Sequence, residues 1–170
     1  MLALKVEAES RMSAWRKKLS TLVFLLIGPL TASAANTELE EFRAQIRLKY
    51  DMKEAAFAAN DPEPILTGFY HPEVVSTGPD GVTYLGRNGL RPVYNEIIGS
   101  DVRIESYRTF VAGNAGWDWV NFHVTPPVEA HEEPFTFKLL FLWARENGEW
   151  WSHGEMYVIG KFDTVGTENK

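Results

Sequence analysis

Cysteine is absent from all 170 residues. That excludes disulfides, thiolate metal sites, a cysteine nucleophile and a lipidated cysteine, and it leaves stability to the apolar core. Long hydrophobic runs are scarce. The run Leu19 to Leu30 spans about a dozen residues, short of the roughly 20 that a bilayer core requires. Basic side chains are outnumbered, 17 against 23 acidic, so neither nucleic acid nor an anionic membrane is an expected partner. The histidines show no H-x-H or H-E-x-x-H spacing, and no G-x-S-x-G occurs. His131-Glu132-Glu133 reads as a solvated acidic loop, and Gly86 to Gly89 as a helix entry without the lysine of a phosphate loop. No metal and no cofactor are expected. Repeats and low-complexity tracts are missing as well.

What is present begins with the layout of an export signal. Arg16-Lys17-Lys18 precedes the short apolar run, and Ala32-Ser33-Ala34 follows with small residues at A-x-A spacing. Cleavage is expected between Ala34 and Ala35, giving a periplasmic or secreted protein with no stable membrane insertion afterwards. Glu7 and Glu9 are out of place ahead of such a signal, which makes Met12 the expected start. The chain thus divides into a leader (1–34), one folded domain (35–163) and a polar tail (164–170). Residues 1–34 carry five basic and two acidic side chains, so their loss leaves 136 residues with a net charge of −9. Five tryptophans remain to build a core.

Helical spacing dominates the first part of that domain. Leu39, Phe42, Ile46, Tyr50, Met52 and Phe57 predict a helix from Asn36 to Ala59, with Thr37 and Glu40 as a capping box and Asn60-Asp61-Pro62 as its stop. A short helix is expected over residues 62–70. A strand, a turn at Pro79-Asp80-Gly81 and a return strand follow over 74–85, then a helix over 87–98 with Leu90, Val93, Tyr94 and Ile97 on one stripe. From Asp101 onward the period falls to two. Strands are predicted over 102–111, 117–125, 135–145 and 150–160, the last two joined by the hairpin signal Asn147-Gly148. Helices followed by an antiparallel meander read as α+β.

Four pieces carry a family resemblance: Ala58-Ala59-Asn60-Asp61, Phe69-Tyr70-His71-Pro72-Glu73-Val74, Gly86-Arg87-Asn88-Gly89-Leu90-Arg91, and the hairpin around Asn147-Gly148-Glu149-Trp150. In order and spacing they resemble the NTF2-like superfamily, which includes SnoaL-like proteins and ketosteroid isomerases, over residues 37–160. The resemblance implies helices packed on a strongly curved antiparallel sheet that forms a cone. It does not imply one function, because this fold hosts many. The catalytic base of the ketosteroid isomerases would fall at Thr77, the oxyanion aspartate near Leu140 and the oxyanion tyrosine near Lys53. None matches, so steroid isomerisation is not expected.

A two-residue turn at Asn147-Gly148 places residues whose numbers sum to 295 opposite one another: Lys138 with Tyr157, Leu140 with Glu155, Leu142 with His153, Ala144 with Trp151. The other face carries Phe137, Leu139, Phe141, Trp143, Trp150, Met156 and Val158. Either the apolar face is the core under the helices, or the mixed face lines the cone. The resemblance favours the second and adds Trp117, Trp119, Asn121 and His123 from the preceding strand and Tyr94 from the third helix. The expected cavity is closed by the helices bearing Tyr50 and Tyr94. Three functions compete on this basis. One is a small, mostly apolar or aromatic ligand held in the cone. The second is an isomerase, dehydratase or hydrolase using His153, Glu155 or His123 as acid or base. The third is an interaction domain without pocket chemistry. Large apolar side chains on both sheet faces predict a homodimer.

Overall fold

The structure is a computed structural model and describes residues 28–163. The chain divides into two compact units, Met1–Glu40 and Glu41–Lys170. Of the first, residues 28–40 are described, and they are helical. The basic segment of the expected signal, most of its apolar run, the Met12 start and the 164–170 tail lie outside the described residues. Among the described residues no helix is long and apolar enough to cross a membrane.

Helix α1 spans Gly28–Ala58. It begins earlier than its sequence signals indicate, so Thr37 lies within the helix, and the helix runs over the expected cleavage point. In the second unit its buried stripe is Phe42, Ile46, Tyr50, Lys53 and Phe57, each at most 2% exposed. Those positions recur at the three- and four-residue steps of one helix face. Asn60, in the left-handed region, ends this segment. The short second helix is a π-helical turn, Ile65–Phe69, that buries Ile65, Leu66 and Phe69. Helix α2 spans Gly86–Ile97 and buries Leu90 and Tyr94.

Among the described residues, six strands form one sheet: β1 (Tyr70–Thr77), β2 (Thr83–Leu85), β3 (Asp101–Ala112), β4 (Ala115–Thr125), β5 (Phe135–Glu146) and β6 (Glu149–Ile159). Their order is β2-β1-β6-β5-β4-β3, antiparallel except where β1 lies parallel to β6. The fold is the α+β cone that the resemblance implied, an unclosed sheet curved around its helices. Three register shifts interrupt the pairing, at Tyr107 in β3, at His153 in β6 and between Tyr70 and Val75 in β1. Bulges of this kind bend a strand and raise its local twist.

The inner sheet face meets the helices through aromatic contacts. Ring centroids lie 4.5 Å apart for Phe42 and Trp150, 5.5 Å for Tyr50 and Phe141, and 6.2 Å for Phe57 and Phe122. Gly116 permits the closest approach: a Cβ there would lie 2.7 Å from the Phe42 ring and 2.8 Å from the Phe110 carbonyl. Nearby, Asp118 is fully buried and accepts hydrogen bonds from the hydroxyls of Tyr50 (2.9 Å), Ser106 (2.6 Å) and Thr109 (2.8 Å). One carboxylate thus ties α1 to β3 and β4.

Candidate functional site

Behind α2 the curved sheet leaves a cavity of about 450 Å³. Its walls are apolar, chiefly Phe57, Leu90, Val102, Phe122, Phe137 and Leu139. Glu96 and Ile97 at the end of α2, with Pro127, Ala130 and Glu132 before β5, form its exposed rim. The polar groups among its lining residues include Lys53, Ser76, Tyr94, Glu155 and Tyr157.

Four of these belong to one network. Glu155 is buried, and its carboxylate accepts the Ser76 hydroxyl on Oε1 at 2.7 Å and the Tyr70 hydroxyl on Oε2 at 2.6 Å. Tyr70 has a single proton to give, and Glu155 takes it. The Tyr70 oxygen then accepts from Lys53 Nζ at 2.7 Å, and its 2.6 Å contact with Tyr94 is donated by Tyr94. Lys53 Nζ lies 4.0 Å from Glu155 Oε2. Around the ammonium stand the rings of Phe69, Tyr70, Tyr94, Phe122 and Phe141, at 4.3–5.5 Å from their centroids. Burial lowers the Lys53 pKa to about 8, against the opposing pull of Glu155. Burial and the Glu155 charge hold the hydroxyls of Tyr70 and Tyr94 protonated well beyond the usual tyrosine range. The cavity floor therefore offers a fixed carboxylate acceptor, a lysine with N–H groups to spare, and a tyrosine oxygen with a lone pair to spare.

Of the side chains singled out from sequence, Tyr94, Glu155 and Tyr157 line this cavity. The others lie elsewhere, and the reason is register. The 295 pairing holds from Glu146 and Glu149 to Trp143 and Ser152, then slips by one: Leu142 opposes Gly154, Phe141 opposes Glu155, and Leu139 opposes Tyr157. His153 is the extra residue. A one-residue slip moves every later side chain to the opposite face, which turns Glu155 and Tyr157 inward beside the apolar residues of β5. Lys138, Leu140 and Leu142 face outward, as do Trp117, Trp119, Asn121 and His123 on β4, whose inward positions are Gly116, Asp118, Val120, Phe122 and Val124. The apolar face of β5 is thus the one beneath the helices, while Met156 and Val158 are outward and exposed.

The outward polar groups have their own partners. Asn121 bonds the Phe162 backbone in both directions, at 3.1 and 2.7 Å, and holds the C-terminal segment to the sheet. Phe162 packs on Trp119 and beneath the Lys138 ammonium. His123 contacts Thr136 and Glu105, and Trp151 carries the cations of Lys49 and Arg87 against its ring. Tyr50 is fully buried in the core, bonded to Asp118 outside the cavity. His153 stands on the outer face, so His153 and Glu155 do not form a pair in the cavity.

Lys53, Tyr70 and Ser76, and Tyr84, which also lines the cavity, are not among the candidates the sequence offers. Lys53 alone carried a signal: it falls on the apolar stripe of α1, three residues after Tyr50 and four before Phe57. A lysine at such a position is either paired or functional.

The profile of the SnoaL-like domain family matches residues 52–153. No curated protein sequence matches the chain. Among solved structures, an NTF2-like protein with a cystatin-like fold from Novosphingobium aromaticivorans is similar at a TM-score of 0.64 and 14% identity, over 81% of this chain and 94% of that one. An NTF2-like protein from Cytophaga hutchinsonii is similar at 0.59 and 19% identity, over 69% of this chain and 98% of its own. A ketosteroid isomerase-like protein from Erwinia carotovora atroseptica is similar at 0.58 and 17% identity, over 70% and 96%. At these identities the likeness is one of fold.

Proposed function

The chain belongs to the SnoaL-like domain family, and on that footing we propose that its cavity binds a small, mostly apolar or aromatic molecule bearing an oxygen function. One observation carries this reading: apolar walls converge on the buried cluster of Glu155, Lys53, Ser76 and Tyr94. Apolar surface with sparse, fixed polar groups is the usual composition of a small-molecule site. A ligand carbonyl or carboxylate would accept from Lys53, and a ligand hydroxyl would donate to Glu155. A thermal-shift screen with small phenols and aromatic carbonyl compounds tests it. A ligand at a hundred times its Kd adds about 2.7 kcal/mol of stability, so the midpoint rises. Glu155→Gln, which keeps the shape and loses the charge, is expected to weaken the best compound about tenfold. A screen in which nothing shifts the midpoint, or in which Glu155→Gln binds equally well, contradicts the reading.

A catalytic reading is favoured by one further feature: the Lys53 ammonium stands 4.0 Å from the Glu155 carboxylate in the same cavity, and burial lowers its pKa to about 8. Groups poised near neutrality suit proton transfer, which contributes about 10²–10⁴ in rate. The reaction would then be an isomerisation, dehydration or hydrolysis, with Glu155 rather than a histidine as base. A fall in turnover of that size in Glu155→Gln marks an enzyme, and a modest loss of affinity alone marks a binder.

Export and self-association belong to the same proposal. The basic, apolar and A-x-A segments of residues 16–34 support export. The outward, exposed side chains of Trp117, Leu142, Met156 and Val158 support pairing with a second copy through the sheet. Protein recovered from the periplasm is expected to begin at Ala35 and to sediment as a dimer at micromolar concentration, and Met156→Glu is expected to make it a monomer. An uncut cytoplasmic chain contradicts export, and a monomeric wild type contradicts pairing.

A further inference from the structure

Two histidines and a glutamate that the cavity does not use meet on the outer sheet face near the β5–β6 turn. His71 follows Tyr70, whose Cα partner is Ser152, and His153 follows Ser152 as the bulged residue of β6. The two register shifts bring both imidazoles together, stacked with centroids 4.0 Å apart and planes 13° from parallel. Glu146, at the end of β5, faces both rings: its Oε1 lies 2.9 Å from His153 Nε2 and its Oε2 3.5 Å from His71 Nε2.

We propose that His71, Glu146 and His153 form a binding site for a divalent transition-metal ion of the zinc class, independent of the cavity. Each residue contributes one ligand atom, and the three atoms lie within 4.8 Å of one another. Ligands at about 2.0–2.2 Å from a tetrahedral ion stand about 3.4 Å apart, so the donors need only small rotations to converge. Imidazole nitrogen with one carboxylate is a donor set that suits zinc and its neighbours rather than magnesium or calcium. A second observation points the same way. His153 Nε2 is a buried atom without a hydrogen-bond partner, although Glu146 Oε1 is only 2.9 Å away. The two atoms are close but not aligned as donor and acceptor, the relation expected of two ligands that face a third centre. A buried polar nitrogen left in this way has a cost that a metal would remove.

His71 adjusts its tautomer to take part. Its Nδ1 accepts the Glu73 amide at 3.2 Å, which leaves the proton of the neutral ring on Nε2. Metal capture through Nε2 moves that proton to Nδ1 and releases the long amide contact. Glu73 is exposed, so water replaces it. Three protein ligands leave a fourth position for water. Sequence spacing gave no sign of the site, because its ligands come from three strands and are separated by 75 and 7 residues.

The test is calorimetric titration of zinc into the metal-free, untagged full-length protein. One ion per chain is expected, with a Kd of about 10 µM or tighter, on the order of 7 kcal/mol. His71→Gln and His153→Gln should each weaken binding at least tenfold, while His123→Gln leaves it unchanged. Both ligand variants change half-buried side chains on the sheet face, and far-UV circular dichroism verifies their fold. Cobalt as a spectroscopic substitute should give visible bands in the wild type that either histidine variant loses. Absence of zinc binding, a loss below tenfold in either ligand variant, or loss in His123→Gln instead overturns the proposal and leaves a stacked histidine pair beside Glu146.

Discussion

Glu155→Ala is expected to lower folding stability by about 3–5 kcal/mol, because it strands the Lys53 ammonium in an aromatic cage with no counter-charge. It also leaves the hydroxyls of Ser76 and Tyr70 without their acceptor. Lys53→Met combined with Glu155→Gln should cost much less than Glu155→Ala, since both charges leave together and the methionine fills the lysine's volume. Urea unfolding of the three proteins measures this directly. A double variant as unstable as Glu155→Ala, or less stable, would contradict the coupling. The pair also sets a pH dependence of known sign. Lys53 titrates near 8 in the folded chain against an ordinary 10.5, so between those values the unfolded chain holds more protons. The Lys53 contribution to stability therefore improves as pH rises from about 8 to about 10.5, and the full burial penalty stands below 8. The stability of wild type relative to Lys53→Met should rise across that window. A flat difference would mean that Lys53 titrates normally.

Asp118→Ala should be the second large loss, about 2–4 kcal/mol by the same unfolding measurement. Its carboxylate takes three hydroxyl donors, and two of them, from Tyr50 and Thr109, are on buried residues with no water to turn to. Burial raises the Asp118 pKa, and the hydroxyl donors oppose that rise. Asp118→Asn keeps an acceptor oxygen and is expected to lose less. Tyr50→Phe removes one of the three bonds and should cost about 1 kcal/mol. Equal stability of Asp118→Ala and wild type would show that the carboxylate does not tie α1 to the sheet.

The strands and the Asn147-Gly148 turn were legible because alternation and turn chemistry are local signals. Asn147 and Gly148 both take positive φ, 52° and 86°, as a two-residue hairpin requires. The cavity was legible only in part. Counting from the turn is sound until a bulge intervenes, and nothing in Trp151-Ser152-His153-Gly154 announces that His153 is the extra residue. Hence Glu155 and Tyr157 reached the cavity, while Lys138, Leu140 and Leu142 did not accompany them. The mid-strand polar residue Asn121 invited a pocket reading, yet its partner is the Phe162 backbone, 41 residues away. Lys53 is the opposite case. It was visible as a cation on an apolar stripe, but its meaning depends on Tyr70, Tyr94 and Glu155, which only the tertiary fold brings to it.

Whether the cavity holds a small molecule is decided by native mass spectrometry of the protein as purified from cells, beside a variant whose cavity is blocked. Val93 lines the cavity from α2 and is only half-buried, so Val93→Trp fills the space without entering the core. The wild type is expected to carry an adduct of one small molecule per chain, absent from Val93→Trp. A wild type carrying no adduct even after incubation with the best compounds of the thermal-shift screen, or an adduct that Val93→Trp retains, would contradict it.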